Sequence, residues 1–267
     1  MLSKTTARML RQARSRQGRR KHGLALCEGV RCCEELLRHR PSWVRVLVCR
    51  SDVLENEAVQ QLIARSEKNG IEVTTASREQ VERAAATVSS QGVLALFRAE
   101  MAADEPSHAK DPFVFAIDRI ADPGNLGTML RTAAAVGLKE IWITEGTTDP
   151  FAPKAVRAGM GAQFHVTIRR LPTIAALSAR ATRAGLRRTW IAIPRGGVSC
   201  FESAFEMEDS VLVIGNEAWG SQAGESERCV SIPMPGTAES LNAAQAATIL
   251  LFEAVRRGLV GRKSTSP

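Results

Sequence analysis

Aromatic side chains are scarce in this chain of 267 residues, which has eight phenylalanines, four tryptophans and no tyrosine. Domains that bind single-stranded RNA on an open sheet or in a small barrel stack the bases on several exposed rings. So few rings count against an RNA-recognition sheet and against an oligonucleotide-binding barrel.

Cysteine motifs are also missing, although the chain has six cysteines. None forms a C-x-x-C pair, and no group of cysteines and histidines has the spacing of a zinc site. We therefore expect neither a disulfide framework nor a metal, and we interpret the cysteines as small buried side chains in a reducing compartment. No apolar run approaches the roughly 18 to 20 residues needed to span a bilayer, so no membrane segment is expected.

Acidic residues are absent from the first 26 positions, which carry Lys4, Arg8, Arg11, Arg14, Arg16, Arg19, Arg20 and Lys21. The formal net charge of the whole chain is +8, so the expected partner is a polyanion, and nucleic acid first. We interpret the segment as a basic arm that faces RNA, because it runs straight into structured sequence. A mitochondrial transit peptide shares this composition and is the alternative. We expect a cytoplasmic protein.

Hydrophobic periodicity divides the chain into two α/β blocks. Strand-like and helix-like segments alternate from 24 to 97, so residues 1–98 are predicted to form a small α/β domain. The segment 99–111 loses this periodicity and gathers proline, alanine and charge, as interdomain linkers do. Residues 112–260 form the second predicted domain, and residues 261–267 form a tail.

Short apolar runs separated by helical stretches predict a mostly parallel sheet in the second block. The runs are Phe113–Asp118, Ile141–Thr144, Trp190–Ile193 and Val211–Ile214, and Leu241–Arg257 is predicted to be the last helix. Neither the G-x-G-x-x-G motif nor the P-loop motif of common nucleotide-binding folds is present. Because ligands of open parallel sheets bind beyond the carboxyl ends of the strands, the turns after these runs are the candidate site.

Three turn-rich segments lie in such positions. The first leaves a strand through Asp-Pro-Gly, and its Asn125 is placed to cap a helix that carries Arg131. The second runs from a strand into Gly215 and Glu217, and the third opens the last helix with Ser240–Asn242. Taken singly, each segment is typical of an ordinary capped helix or tight turn.

In their order and spacing, the three segments resemble the signature motifs of the SpoU (TrmH-like) family of RNA ribose 2′-O-methyltransferases. The matching residues are Asn125 and Arg131, then Gly215 and Glu217, then Ser240, Leu241 and Asn242. Residues 154–161 are similar to a family segment that usually reads Lys-x-x-Arg-x-Ser-Met-Gly, but Gly159 stands in place of the serine. Residues 243–245 also depart from the commoner Val-Ser run. Residues 3–98 resemble the family's substrate-binding domain.

This resemblance implies a fold, a cofactor and an assembly. The second domain would be a SPOUT-type α/β domain with a trefoil knot and a mostly parallel sheet, and the first a small RNA-binding α/β domain similar to ribosomal proteins. The knot pocket would bind S-adenosylmethionine, and catalytic domains would pair as a homodimer. The residues implied to line the pocket are Thr144, Glu145, Gly146, Gly215, Ile232, Met234, Gly236, Ser240 and Leu241.

The implied reaction is an attack by a ribose 2′-hydroxyl on the sulfonium methyl, without a metal. The residues implied to carry it are Asn125, Arg131, Glu217 and Asn242. Because a guanidinium stays protonated, we interpret Arg131 as stabilising alkoxide charge or holding a phosphate, and not as a base. Asn125 would orient the hydroxyl or Arg131, Glu217 would hold Arg131 or neighbouring amides, and Asn242 would fix the third motif's turn.

RNA contacts are expected from Arg14, Arg16, Arg19, Arg20, Lys21, Lys154 and Arg157. We favour 23S-type ribosomal RNA as the substrate, because a separate amino-terminal domain is more typical of the family's ribosomal RNA enzymes. Transfer RNA is the alternative. A non-catalytic RNA-binding or ribosome-associated protein is the rival class, and the joint presence of five motif residues speaks against it.

Overall fold

The structure, a computed structural model, describes residues 2–87, 90–102, 108–215 and 227–261. The chain divides into two compact units. Unit 1 comprises Met1–Glu100 and Asp149–His165, and unit 2 comprises Met101–Thr148 and Val166–Pro267. Residues 149–165, which the sequence places in the second block, thus fall in unit 1.

Unit 1 is built on a mixed sheet, with elements numbered along the whole chain. Its strands are β1 (Leu24–Glu28), β2 (Val44–Arg50), β3 (Glu72–Ala76) and β4 (Val93–Arg98). In the order β1-β4-β2-β3, β4 runs antiparallel to both neighbours and β2 runs parallel to β3. The helices are α1 (Lys4–Arg14), α2 (Arg16–His22), α3 (Val30–His39), α4 (Glu57–Lys68), α5 (Arg78–Ala84) and α7 (Pro153–Gly159). The predicted alternation of strands and helices in the first block is confirmed.

The basic amino-terminal segment is folded into α1 and α2. Leu10 and Ala13 of α1 are buried in a hydrophobic cluster with residues of β1, β2 and β4. Ser3 caps α1 and Ser15 caps α2, each by accepting a hydrogen bond from a backbone N–H. The segment is therefore part of the core of unit 1, which corrects the expectation of an arm.

Unit 2 is built on a seven-stranded sheet in which all described neighbours are parallel. Its strands are β5 (Phe113–Asp118), β6 (Glu140–Thr144), β7 (Thr167–Leu171), β8 (Arg188–Ala192), β9 (Val198–Ser199), β10 (Ser210–Gly215) and β11 (Glu227–Ser231). Its helices are α6 (Pro123–Ala135), α8 (Ile174–Arg183) and α9 (Ala243–Arg256). The prediction of an α/β fold with a mostly parallel sheet is confirmed.

The strand order of this sheet, β7-β6-β5-β10-β8-β11-β9, changes direction between β5 and β10. Open parallel sheets bind ligands at such a point, beyond the carboxyl ends of the strands. Gly215 at the end of β10 pairs in register with Asp118 at the end of β5. The first and second motifs therefore start side by side.

Strand β7 is not predictable from hydrophobicity, because it contains two arginines. One of them, Arg169, is buried, and its Nε donates to the carboxylate of Glu140 on β6 over 3.0 Å. Glu140 also accepts a hydrogen bond of 2.7 Å from the indole N–H of Trp142. Burial would raise the pKa of Glu140, but the bonds from Arg169 and Trp142 outweigh it and hold that pKa below its ordinary value.

The start of α6 corrects one expectation. Asp122 caps this helix by accepting a 2.8 Å hydrogen bond from the backbone N–H of Asn125. The expectation that Asn125 is the cap is wrong, because Pro123 is well suited to the first helical position and sets the start earlier. At the other end of unit 2, α9 begins after its cap Asn242. Every helix in the described part of the chain falls short of the length and apolar character that a bilayer-spanning helix needs.

Candidate active site

A cavity opens in unit 2 beyond the carboxyl ends of β8, β10 and β11. It encloses about 640 Å³, counting space that is open to solvent. The described residues that line it are Ala192, Ile193, Pro194, Ile214, Gly215, Val230, Ile232, Met234, Ser240, Leu241, Ala243, Ala246 and Leu250. The walls are mainly apolar, and the strand ends add backbone donors and acceptors. Such a site suits a small ligand with flat or aliphatic parts and a few polar groups.

Five residues predicted to bind the cofactor line this cavity: Gly215, Ile232, Met234, Ser240 and Leu241. Gly215 ends β10 and the other four follow β11, and they meet because β10 and β11 flank β8. The other four, Thr144, Glu145, Gly146 and Gly236, are not among the described lining residues. Their cofactor role stays a prediction.

Thr144 at the end of β6 has a different partner. Its hydroxyl donates to the buried carboxylate of Asp118, and Arg119 Nε donates to the other carboxylate oxygen over 2.8 Å. The turn that follows packs closely on Arg119, because a Cβ on Gly146 would lie 2.9 Å from the Arg119 side chain. Gly146 also has φ +89°, a conformation that favours glycine. This network joins the carboxyl ends of β5 and β6.

The first and third motifs meet through two asparagines. Asn242 Nδ2 donates to Asn125 Oδ1 over 3.1 Å, although 117 positions separate the two residues. Asn242 Oδ1 accepts from the backbone N–H of Ala244 over 2.9 Å and thereby caps α9. Helices α6 and α9 pack together, and the hydroxyls of Thr132 and Thr248 lie 3.2 Å apart. The fold therefore places Asn125 and Asn242 in one site.

Arg131 is the exposed member of the first motif. It lies six residues after Asn125 on α6, about 9 Å further along the helix axis. Six residues turn a helix by about 600°, so the two side chains leave α6 about 120° apart. With the residues that the structure describes, Arg131 forms no hydrogen bond or ion pair. Glu217, its predicted partner, lies outside the described residues.

Buried Glu253 fixes the carboxyl end of α9. Its carboxylate accepts two hydrogen bonds of 2.7 Å from Arg256 and one of 2.6 Å from Arg257. The bonds from Arg256, followed by those from Arg257, lower the pKa of Glu253 to about 2 against the opposing effect of burial. Arg257 also donates to the carbonyls of Cys200 and Glu202 over 2.7 and 3.0 Å. The helix that lines the cavity is thus tied to the loop after β9.

The segment 154–161 lies in unit 1, on and after α7. Lys154 is exposed and Arg157 is half-buried. Gly159 has a packing reason, because a Cβ there would lie 2.7 Å from Oε1 of Gln163. The Gln163 side chain is buried and donates to two backbone carbonyls, so it has little room to move. The serine that the family segment usually has at this position would crowd the Gln163 side chain.

The cations of α1 and α2 differ in exposure. Arg14, Arg16, Arg20 and Lys21 are exposed, whereas only 8% of the Arg19 surface is accessible. Arg19 Nε donates to the carboxylate of Asp149 over 2.6 Å, and its Nη1 donates to two backbone carbonyls of α1. This arginine ties together two parts of unit 1. We therefore remove Arg19 from the residues expected to contact RNA.

The loop after β8 contributes lining residues that sequence reasoning missed. Ile193 and Pro194 line the cavity, and Arg195 Nη2 donates to the carbonyl of Ala238 over 3.1 Å. A signal for this loop exists, since an apolar run there ends directly in Pro-Arg-Gly-Gly. The bond from Arg195 joins this loop to the chain that follows β11.

Comparison with family models assigns both parts of the chain. Residues 112–252 match the SpoU rRNA methylase family, and residues 26–102 match the RNA 2′-O ribose methyltransferase substrate-binding family. The chain therefore belongs to the SpoU rRNA methylase family. The resemblance carried by the three motifs is confirmed.

Relatives and solved structures agree over most of the chain. An uncharacterised tRNA/rRNA methyltransferase of Synechocystis is 30% identical and covers 94% of this chain and 90% of its own length. The 23S rRNA (guanosine-2′-O-)-methyltransferase RlmB of Shewanella oneidensis is 28% identical, with 86% of this chain and 96% of RlmB covered. The structure of an AdoMet-bound rRNA methyltransferase from Sinorhizobium meliloti matches with a TM-score of 0.79 at 29% identity, covering 98% of both chains.

Proposed function

We propose that this chain transfers a methyl group from S-adenosylmethionine to a ribose 2′-hydroxyl of structured RNA, with 23S-type ribosomal RNA as the substrate. One observation carries the proposal: Asn125 is bonded to Asn242, and residues of the second and third motifs, Gly215 and Ser240 among them, line a cavity at the same edge of the sheet. A domain that only binds RNA has no need of this arrangement. Membership of the SpoU rRNA methylase family supports it.

The cavity fits S-adenosylmethionine by the chemistry of its walls. The apolar side chains of Ile232, Met234 and Leu241 suit the adenine ring and the aliphatic part of the cofactor. The backbone around Gly215 can donate and accept hydrogen bonds at the polar edges of the adenosine. When bound, the cofactor supplies a methyl group that its sulfonium makes electrophilic.

Asn125 and Asn242 would position the ribose. Their mutual bond uses the oxygen of Asn125 and leaves its Nδ2 as a donor for an RNA oxygen. Because Asn242 also caps α9, the pair is held by the same helix that lines the cavity. Holding the hydroxyl in line with the methyl can supply a large share of the rate enhancement.

Arg131 would act on charge. Its guanidinium stays protonated and is exposed to an incoming substrate. It would stabilise negative charge developing on the ribose oxygen, or hold a phosphate that accepts the hydroxyl proton. Glu217 would hold Arg131 in place.

Unit 1 would hold the RNA. Exposed cations on its helices include Arg14, Arg16, Arg20, Lys21 and Lys154, and residues 26–102 match a family named for substrate binding. The names of relatives such as RlmB favour 23S ribosomal RNA. The name of the Synechocystis relative includes transfer RNA, which stays the alternative.

The finer features of the fold and setting are part of the same proposal. Unit 2 would carry the family's trefoil knot, unit 1 would be similar to RNA-binding ribosomal proteins, and the protein would act in the cytoplasm. Two copies would pair through unit 2. Phe252 on α9, with 51% of its surface accessible, supports such pairing. Sedimentation of the full chain should show a dimer, and Phe252→Lys should shift it towards monomer.

The direct test incubates the full chain with methyl-labelled S-adenosylmethionine and separated 23S ribosomal and transfer RNA. We expect label in the ribosomal RNA at one nucleotide whose 3′ linkage resists alkaline hydrolysis, as a blocked 2′-hydroxyl requires. Label on a base, or no label from folded protein that binds the cofactor, would contradict the proposed reaction. Label only in transfer RNA would show that the proposed substrate is wrong and that the proposed reaction is right.

A further inference from the structure

Unit 1 contains a second cluster of polar side chains that methyl transfer does not use. Glu35 and His39 lie on α3, and His165 follows a short 3-10 turn at Ala162–Phe164. Each residue offers one potential ligand atom, and the three atoms lie within 4.8 Å of one another. Glu35 and His39 share a face of α3 because they are four residues apart. His165 lies 130 positions after Glu35 in the sequence.

The three side chains are close enough to share one ion, although Glu35 and His165 are joined by a hydrogen bond and the two imidazole rings lie against each other. Glu35 Oε2 lies 2.5 Å from Nε2 of His165 and 3.6 Å from Nε2 of His39, and the two imidazole centroids are 3.8 Å apart. Zinc bonds of about 2.0 to 2.1 Å in a tetrahedron place ligand atoms roughly 3.3 Å apart. To reach this geometry, Glu35 and His165 would exchange their hydrogen bond for the ion, and the two imidazole rings would rotate until both nitrogens point at it.

The main chain holds His165 against α3. A Cβ on Gly161 would lie 3.0 Å from Cβ of Glu35, and Gly161 has φ +82°, so both space and conformation call for glycine here. Gln163 is buried and bonded to two backbone carbonyls, and Phe164 packs edge-on against a phenylalanine of β4 at 5.3 Å. The ligands therefore stand on packed elements, as a preorganised site requires.

The exposure of the three side chains also fits a cation. The accessible fractions are 20% for the Glu35 side chain, 33% for His39 and 35% for His165, so an ion and a water molecule can enter. Nη1 of Arg38 lies 3.3 Å from the other Glu35 oxygen, Oε1, and leaves Oε2 to the histidines. Carboxylate ligands of metals are commonly held by such a partner. The Arg38 side chain is 56% exposed, so water screens its charge.

We propose that Glu35, His39 and His165 bind one divalent transition-metal ion of the zinc class, with water as the fourth ligand. Two imidazole nitrogens and one carboxylate oxygen suit Zn²⁺, whereas Ca²⁺ and Mg²⁺ prefer sites made only of oxygen. The ion would fasten the segment Asp149–His165 to α3 and stabilise unit 1. It takes no part in methyl transfer.

Titration of the full chain with Zn²⁺ in a calorimeter tests the site. We expect one Zn²⁺ per chain, and His39→Ala and His165→Ala should each weaken binding by about tenfold or more. The thermal midpoint of unit 1 should rise with Zn²⁺ in the parent chain and not in these variants. The chain has four histidines, so His22→Ala and His108→Ala are matched controls that should bind Zn²⁺ as the parent does.

Equal Zn²⁺ affinity in the parent and in the double variant His39→Ala/His165→Ala would overturn the site, and so would a loss of binding in either control. Where circular dichroism shows that an alanine variant does not fold, Glu35→Gln decides by the same titration, because it removes the charge and keeps the shape. Co²⁺ gives a second readout. Its visible absorption should report four-coordinate nitrogen and oxygen ligation in the parent and disappear with His165→Ala.

Discussion

The two units place their polar residues by different rules. In unit 2 the strands are parallel, so the carboxyl ends of β5, β8, β10 and β11 lie along one edge of the sheet. Asn125 and Asn242 can meet there across 117 positions. In unit 1, β4 runs against both of its neighbours, so its loops leave the sheet at both ends. The exposed cations of unit 1 are spread over its helices and strands.

This contrast suits unit 2 to catalysis and unit 1 to the binding of a polyanion. A converging edge suits chemistry, which needs several groups around one reacting atom. Scattered charge suits a long polyanion, because each neutralised phosphate adds its own contribution to affinity. Residues of unit 2 should therefore act as a set, and cations of unit 1 should act nearly independently.

The largest expected effect is in unit 2. Arg131→Ala and Asn125→Ala should each slow methyl transfer by about 100-fold or more, as removal of a charge-stabilising donor does. Cofactor affinity should change little, because neither residue is among the described residues that line the cavity. Single-turnover transfer and equilibrium dialysis measure the two properties. Arg187→Ala, an exposed arginine of the same unit, is the control. A loss below tenfold, about 1.4 kcal/mol of barrier, would remove these residues from the catalytic set.

The asparagine pair should show coupling. Asn242→Asp keeps the oxygen that caps α9 and loses the donor to Asn125, so transfer should fall about tenfold while the thermal midpoint stays nearly unchanged. Asn242→Ala should also lose about 0.5 to 2 kcal/mol of stability with the cap. The double variant with Asn125→Ala should lose less activity than the product of the two single losses. Simple multiplication of the losses would argue that the pair does not act as a unit.

Unit 1 should instead show additive charge effects. Changing Arg16, Arg20 and Lys21 to Gln should flatten the slope of log K against log salt for RNA by about 2, since each phosphate contact contributes roughly 0.7 to 0.9. Filter binding over a salt series measures this slope, and cofactor affinity should not change. Arg45, Arg65 and Lys68 are also exposed in unit 1, and their change to Gln is the control. An equal flattening in the control would mean that net charge alone governs affinity.

The last effect concerns the stability of unit 2 and leaves the site itself unchanged. The pKa of Glu253 is lowered to about 2, so its stabilising contribution is present above the ordinary carboxyl pKa of about 4.3 and is lost as pH falls through 2. Glu253→Gln should therefore lower the free energy of unfolding at pH 7 by about 2 to 3 kcal/mol. A lower thermal midpoint would report this loss. The difference from the parent should shrink between about pH 4.5 and 2. A difference that is constant over this range would show that packing, and not charge, is responsible.

Local patterns predict some of these features and miss others for physical reasons. The bounds of β5 match those of the predicted apolar run at both ends. The match is possible because a buried strand is a run of consecutive apolar residues, which the sequence shows directly. The burial of Arg169 depends on Glu140, a partner 29 positions away. Arg19 and Arg20 look alike in sequence, and only the fold places Asp149 beside Arg19.

The candidate site divides in the same way. The motif residues could be found from their order along the chain, and five of the nine predicted cofactor residues line the cavity. The bond between Asn125 and Asn242 could not be found, since it depends on how α6 and α9 pack. For the same reason no spacing rule joins Glu35 and His39 to His165.

Because Asp149–His165 belongs to unit 1, the two units cannot be separated by a single break in the chain. The chain passes between the units at Glu100/Met101, at Thr148/Asp149 and at His165/Val166. A recombination event or a single protease cut in the segment 99–111 therefore separates no complete unit from the other. A gene that acquired a new first domain by exchange of residues 1–98 would keep the old Asp149 and would need Arg19, or another cation, to meet it. Exchange of residues 1–98 alone would therefore leave Asp149–His165, the remainder of unit 1, unchanged.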